Sequence, residues 1–242
     1  ATARLEYYEY PAALPTVELS SIKLDLYRRD FTVNAMAVQL NTEHFGKLID
    51  FFNSQNDLKQ RAIKVLHNLS FVDDPTRIFR AVRFEKRMEF TIVKHTARLI
   101  NNAVKMDLFG KADDPRFFGE LKSLLTEENA IPAIKRIEEL GLFPFLWPDL
   151  KPHLKIDRRF HHCLTQAQRA VSWFKLLYLS ESFEPWMVYL LAIMGRSPVT
   201  VLINFCNRFQ LSQKQKEYIV HEKSYGDKTA AFLSRRDNLK NS

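Results

Sequence analysis

Asp74-Pro75-Thr76-Arg77-Ile78-Phe79-Arg80-Ala81-Val82-Arg83-Phe84-Glu85-Lys86-Arg87 joins a helix start to two chemically opposite faces. Asp74 is placed as an N-cap, and Pro75 takes the first helical position, where its missing N–H costs nothing. At about 100° per residue, Ile78, Phe79, Ala81 and Val82 fall on one side, and Arg77, Arg80, Arg83 and Arg87 on the other. One side packs. The other is an arginine stripe about 15 Å long at a rise of roughly 1.5 Å per residue. Such a stripe suits a few phosphates of a polyanion, or equally a solvated face paired with acidic neighbours such as Glu85 and Glu89.

Working outward, the cap signature recurs at Asp113-Asp114-Pro115, ahead of a helix over 116–125 in which Arg116 and Glu120 stand at i,i+4. A helix from Ala130 to Leu140 stops at Gly141, a usual left-handed C-cap residue. Pro144, Pro148 and Pro152 mark a linker near 143–153, and amphipathic stretches follow at 161–180, 185–194, 198–209 and 212–223. From residue 57 onward the whole chain reads as helical. Upstream the pattern differs. Residues 4–10 read as a strand broken by Pro11 and Pro15, 20–26 as a short helix, and 35–40 with 45–49 as a hairpin turning at Asn41-Thr42-Glu43. The fold class is therefore an α+β N-terminal part followed by a mostly α-helical remainder.

The chain has 242 residues, 46% hydrophobic and 26% charged, enough to bury a core. Its longest apolar stretch, Trp186 to Met194, falls far short of the ~20 residues of a membrane span. The start Ala1-Thr2-Ala3-Arg4 carries no Met and no signal segment, so the chain is expected to be the interior of a longer protein. Cys163 and Cys206 have no partners at zinc spacing, which makes a reducing cytoplasm the default compartment. Only six glycines occur, and none forms a phosphate-cradling loop, so phosphate chemistry must use side chains, helix ends or other segments.

Charge is segregated. Residues 1–150 hold 21 basic and 21 acidic side chains, whereas residues 151–242 hold 15 and 7, so the whole net charge of +8 sits in the last part. A basic segment interleaved with Trp173, Phe174, Tyr178 and Tyr225 suits RNA, whose phosphates dominate affinity and whose bases stack on aromatics. Adjacent His161-His162, with no Asp following, read as ordinary helix residues. Trp173 and Trp186 read as core rather than as base platforms.

The densest chemistry lies at Arg28-Arg29-Asp30-Phe31-Thr32-Val33-Asn34, where two guanidiniums, a carboxylate, a hydroxyl and an amide stand beside small apolar residues. Arginine forks suit triphosphate oxygens, and Asp and Asn suit sugar hydroxyls. An ion-paired surface turn would use the same residues.

Arg28-Arg29-Asp30-Phe31-Thr32-Val33-Asn34-Ala35-Met36-Ala37 resembles the RRDFT-[IV]-NA element of the class II tRNA nucleotidyltransferase/poly(A) polymerase family, which adds CCA or A to tRNA, or A tails to RNA. Leu48-Ile49-Asp50 with Asp57-Leu58 and Arg61 resembles the family's hinge, with Asn53 and Ser54 where glycines are usual. Ser70 to Arg77 and Arg80-Ala81-Val82-Arg83-Phe84 resemble its base-reading segment, and Arg116 to Leu121 its neck-stabilising element. The resemblance covers residues 1 to about 150 and implies an α+β head remnant (1–56), a helical neck (57–150) and a helical basic body that holds tRNA (151–242).

On a helix, Asp74 and Arg77 share a face, so a carboxylate and a guanidinium can meet one base edge. The carboxylate accepts from the amino group of adenine or cytosine while the guanidinium donates to the ring acceptor. Guanine and uracil reverse that pattern, and a good bidentate contact discriminates by roughly 1–3 kcal/mol. The resemblance thus implies that Asp73, Asp74 and Arg77 select ATP, with CTP as the second candidate substrate. It gives Arg28, Arg29, Asp30 and Asn34 the sugar and triphosphate, Arg80 the support of the pocket, and Arg83, Arg87 and Arg116 the RNA. The family's Gly-rich turn and metal-binding Asp-x-Asp pair are not in this sequence. Glu6 matches a third carboxylate, Mg2+ is expected to be held mainly by residues outside the chain, and the chain alone is expected to be inactive. The implied enzyme is a template-independent nucleotidyltransferase acting on a tRNA 3′ end. Poly(A) addition to other RNAs, a non-catalytic RNA-binding module of the same descent and a helical interaction scaffold are the other readings.

Overall fold

A computed structural model describes residues 4–7, 16–106, 115–143, 154–177 and 184–240. The Glu6 side chain, the cap at Asp113-Asp114 and most of the expected linker at 143–153 lie outside the described residues. The chain divides into two compact units, residues 1–124 with 132–145, and residues 125–131 with 146–242.

The first unit begins with β1 (Arg4–Tyr7) and β2 (Thr16–Leu19), paired antiparallel. A six-residue helix, α1 (Ile22–Tyr27), starts at Ser21, whose hydroxyl accepts from the Leu24 N–H. The expected hairpin is present but narrower. It pairs β3 (Met36–Val38) with β4 (Leu48–Asp50) in antiparallel register, Ala37 opposite Ile49, with a 3-10 turn at Thr42–His44 between them. Immediately after β4 the chain reverses into α2 (Ser54–Lys59) through Asn53, which sits at φ 60 and ψ 36. Asn tolerates this left-handed conformation better than most residues, which lets it stand where glycine is usual. The Asp50 carboxylate locks the reversal by accepting from the N–H groups of Phe52, Ser54 and Gln55 at 3.2, 2.8 and 3.0 Å. Burial alone would push its pKa up, but the backbone donors of Gln55, Ser54 and Phe52 outweigh that and hold it below the ordinary value.

The expectation of helix throughout from residue 57 is corrected at one place. Ala62–Ile63 (β5) and Thr91–Ile92 (β6) form a short parallel pair. Both strands are too short for period-two alternation to show. Between them lie α3 (Ser70–Asp73) and α4 (Arg77–Arg87), and after them α5 (Lys94–Lys105). The start of α4 also departs from the simple cap. The helix proper begins at Arg77, because the turn across Asp74-Pro75-Thr76 is of the tighter i→i−3 kind, with the Arg77 N–H on the Asp74 carbonyl at 3.2 Å. Asp74 still caps it, its carboxylate accepting from the Thr76 N–H at 3.1 Å and the Thr76 hydroxyl at 2.6 Å.

On α4 the apolar face packs as the periodicity requires, with Ile78, Phe79, Ala81 and Val82 buried. Two further helices, α6 (Pro115–Leu125) and α7 (Ile131–Glu139), carry Phe117, Leu121, Ile134 and Ile137 into this unit's core. Phe117 meets Phe79 edge to face with ring centroids 6.0 Å apart. Gly141, at φ 67, ends the last of these helices as expected.

The second unit is built from α8 (Arg158–Leu176), α9 (Pro185–Ile193), α10 (Val199–Arg208) and α11 (Gln213–Lys240). The last runs well past the 212–223 that the amphipathic pattern marks. Asp157 caps α8 by accepting from the Phe160 N–H at 2.9 Å. Trp186 is buried as expected, but Trp173 is 62% exposed and is not core. The inward face of α8 follows Phe160, Leu164, Ala167 and Val171, and Trp173 lies about 200° from Val171 on the far side. Among the described residues no helix is long and apolar enough to cross a membrane.

Candidate functional site

The polar turn after α1 is the starting point. Asp25, on the last turns of α1, is buried, and its carboxylate collects both neighbouring arginines. Arg28 donates from Nε and Nη2 to Oδ1 at 3.1 and 2.8 Å, and Arg29 from Nη2 to Oδ2 at 3.3 Å. Arg29 also reaches the Asn34 carbonyl from Nη1 at 3.5 Å. The pairing follows from helical spacing, since i,i+3 and i,i+4 neighbours share a face.

The next residues anchor this turn to the core. Fully buried Phe31 bridges to Val65 beyond β5, the Thr32 N–H donates to the Lys64 carbonyl at 2.9 Å, and the Phe31 ring meets Phe84 of α4 edge to face at 5.8 Å. That packing brings Asp30 to the arginine side of α4. Its carboxylate lies 3.4 Å from Arg77 Nε and 2.5 Å from Arg80 Nη2.

Arg77 is the most enclosed charge of the stripe, with its side chain 4% exposed. Nη1 donates to Ser70 Oγ at 3.0 Å, Nη2 to the Arg28 carbonyl at 3.1 Å, and Nε stands 4.0 Å from the Asp74 carboxylate. Asp74 and Arg77 therefore share a face as their spacing requires. Arg116 of α6 approaches the same Asp74 oxygen at 3.8 Å. Farther along α4, Arg80 donates to Glu120 of α6 at 3.3 Å, and Arg83 lies 3.9 Å from that carboxylate. Burial pushes the Glu120 pKa up; Arg80 and Arg83 pull it back only in part, and Asp30 adds to the rise.

The stripe expected to meet solvent or phosphates is thus largely an internal ion network. Among the described residues, the acidic partners of Arg77, Arg80 and Arg83 are Asp30, Asp74 and Glu120, while Glu89 lies past the end of α4 at φ 55. Glu85 instead receives Arg136 Nε at 2.9 Å. Of the residues singled out from sequence, Arg28, Arg29, Asp30, Asp74, Arg77, Arg80, Arg83 and Arg116 form one connected cluster, with Asn34 beside it through its carbonyl. Asp73 turns away, its carboxylate 3.9 Å from His67 Nδ1. Burial lowers the pKa of that imidazole, Asp73 opposes the shift and Arg77 reinforces it. Arg87 is exposed on the last turn of α4. Sequence reasoning missed Asp25 and the buried Ser70. A carboxylate three and four residues ahead of two arginines on one short helix is the available sign for Asp25.

The first unit therefore presents an arginine–carboxylate turn fastened to a half-buried Asp-x-x-Arg pair, a constellation suited to an anionic, base-bearing ligand. Residues 1–64 match the Poly A polymerase head domain, and residues 89–154 match the family described as the probable RNA and SrmB-binding site of polymerase A. The chain is 45% identical over 236 residues to the A-adding tRNA nucleotidyltransferase of Geobacter sulfurreducens, covering 98% of this chain and 26% of that protein. It is 36% identical to the enzyme of the same name from Aquifex aeolicus, over 81% of this chain and 23% of that one. Among solved structures, a CCA-adding enzyme in apo form II matches with a TM-score of 0.83 at 36% identity, over 98% of this chain and 54% of that one. The Thermotoga maritima CCA-adding enzyme complexed with tRNA matches with a TM-score of 0.75 at 31% identity, over 96% and 58%. The chain belongs to the tRNA nucleotidyltransferase and poly(A) polymerase family. It spans about a quarter of the length of these two curated relatives.

Proposed function

We propose that the protein carrying this chain transfers AMP, with CMP as a second candidate, from a ribonucleoside triphosphate to the 3′ end of tRNA without a template. The RNA 3′-hydroxyl attacks the α-phosphorus, and pyrophosphate leaves. The observation that carries the reading is the pinned pair of Asp74 and Arg77 beside the Arg28-Arg29-Asp30 turn. In this proposal Arg28 and Arg29 take the triphosphate, Asp30 and Asn34 the sugar, and Asp74 and Arg77 the base, while Asp73, which faces His67, takes no part in reading it. Arg77 is held by Ser70 and the Arg28 carbonyl with Asp30 beside it, and of its five N–H donors these two hydrogen bonds use only two, which leaves donors for a base edge. Arg80 holds Asp30, and Arg83, Arg87 and Arg116 lie toward the RNA.

Residues 1–56 act as the C-terminal part of the catalytic head, 57–150 as the nucleotide-selecting neck, and 151–242 as the basic body that grips tRNA. The magnesium of such a reaction needs clustered carboxylates. Among the described residues no group of three or more His, Cys, Asp and Glu side chains is placed to hold a metal ion. On their own, these residues do not fit a metal.

The test is incorporation of labelled ATP, CTP, GTP and UTP, with magnesium, into a tRNA ending before CCA. This chain is run beside a version extended upstream in its reading frame. Incorporation of A, or of A and C, by the extended protein alone is expected, and the ratio of A to C separates A-only from CCA addition. Uptake of G or U as readily as A would sink the base-selection scheme. Salt-sensitive tRNA binding with no incorporation by either protein would replace the enzyme with an RNA-binding module.

A further inference from the structure

We infer that Asp25 is a positioning residue for nucleotide binding, setting the Arg28 and Arg29 guanidiniums side by side as a preformed anion fork. The inference rests on the reading of those arginines as triphosphate ligands. Its support is the geometry of one carboxylate with two clients. Asp25 is 7% exposed, so its charge is committed to protein partners rather than to water. Each oxygen serves a different arginine, Oδ1 taking Arg28 through Nε and Nη2 and Oδ2 taking Arg29 through Nη2.

Two guanidiniums on successive residues repel each other and, unheld, would sample many rotamers. Asp25 opposes the repulsion and removes that freedom before a ligand arrives, which is what preorganisation contributes to binding. The side chain of Arg28 remains 25% exposed and that of Arg29 44% exposed, so the far edges of the fork still face outward. Nor does the other carboxylate of the turn cancel the fork. Asp30 lies against Arg77 and Arg80 rather than against the fork. Asp25 thus trades some raw positive potential for direction.

The experiment is steady-state kinetics of the full-length protein, with ATP and tRNA varied separately, for Asp25→Asn, Asp25→Glu, the double variant Arg28→Ala/Arg29→Ala, and the triple variant that adds Asp25→Asn. Asp25→Asn is expected to raise KM for ATP about tenfold while KM for tRNA and kcat stay within about twofold, with partial recovery in Asp25→Glu. In the background lacking both arginines, Asp25→Asn should change KM for ATP no further, because its effect passes through them. An equal effect of Asp25→Asn in both backgrounds, or a loss of kcat with KM for ATP unmoved, overturns the positioning role in favour of a purely structural one. If the double arginine variant leaves KM for ATP unchanged, the triphosphate assignment itself fails and the Asp25 role goes with it. A variant that does not fold is recognised by the absence of a cooperative melt, and Asp25→Glu then carries the test.

Discussion

The two units are both rich in cations but hold them with carboxylates of different burial. In the first, Arg28, Arg29, Arg77, Arg80, Arg83 and Arg136 are each paired with a carboxylate, and the acceptors Asp25, Asp30, Glu85 and Glu120 are all mostly buried. In the second, Arg196 pairs with Asp157 and Lys223 with Asp227, carboxylates that are 48% and 53% exposed, while Arg169, Lys175, Lys214 and Lys228 are exposed. Paired, half-buried guanidiniums have fixed directions and can discriminate one ligand from another. Exposed cations without a fixed carboxylate make a diffuse field, which attracts any polyanion and weakens with salt. On the proposed function, this difference would separate selecting a nucleotide from gripping RNA.

The strongest way to break this contrast is to remove a fixed cation. Arg77→Ala would leave Asp30 with Arg80 alone and strip partners from buried Ser70 and the Arg28 carbonyl. Breaking a buried pair from one side costs about 3–5 kcal/mol. The midpoint of urea unfolding should fall accordingly at an unchanged m-value. A destabilisation below about 1 kcal/mol, against that range, would mean that Arg77 is solvated in the working protein and that the network does not define the first unit. Arg77→Lys is expected to recover only part, since an ammonium cannot serve Ser70 and the Arg28 carbonyl as a planar fork does.

A smaller effect, read against pH, concerns Glu120. Its native pKa lies above the ordinary 4.5, with burial as the largest cause, so the folded protein binds this proton more tightly than the unfolded chain does. The stability it contributes is therefore full below the unfolded pKa and lost as pH rises through the native one. Glu120→Gln removes that dependence. The melting temperature of the parent, relative to this variant, should fall as pH is raised from about 4 toward neutrality. A relative rise would show that Arg80 and Arg83 outweigh burial and that the network is stabilised by charge throughout.

Much of this arrangement is legible in the sequence, though unevenly. The α4 apolar face, the cap at Asp74, the stop at Gly141 and the hairpin follow from local periodicity and turn chemistry, and all are present. The sharing of a face by Asp74 and Arg77 follows from spacing alone. What spacing cannot supply is the partner of each arginine. Asp30 and Arg80 stand far apart in sequence and meet because Phe31 packs on Phe84. Glu120 meets Arg80 because Phe117 packs on Phe79. A stripe read from one helix looks solvent-facing, and only the apolar packing of other elements turns it inward. For the same reason β5 and β6 escape a reading by pattern, since two-residue strands carry none of their own. Trp173 faces outward because its angle on α8, rather than its aromatic bulk, decides its place.

The smallest expected change in stability sharpens the other half of the comparison. Lys214→Ala and Lys228→Ala, singly or together, remove exposed charges from the second unit and should shift unfolding by less than about 0.5 kcal/mol each. On the proposed function, their effect belongs instead to RNA. If the second unit holds tRNA through phosphates, the log–log dependence of the binding constant on salt should flatten by roughly 0.7 for each phosphate no longer neutralised on a single strand. The choice of A over G should not move, because no base is read there. The converse holds for Asp74→Asn in the first unit, which should relax nucleotide choice while leaving the salt slope alone. A lysine variant that changed nucleotide choice, or an Asp74 variant that changed the salt slope, would show that selecting and gripping are not divided between the units.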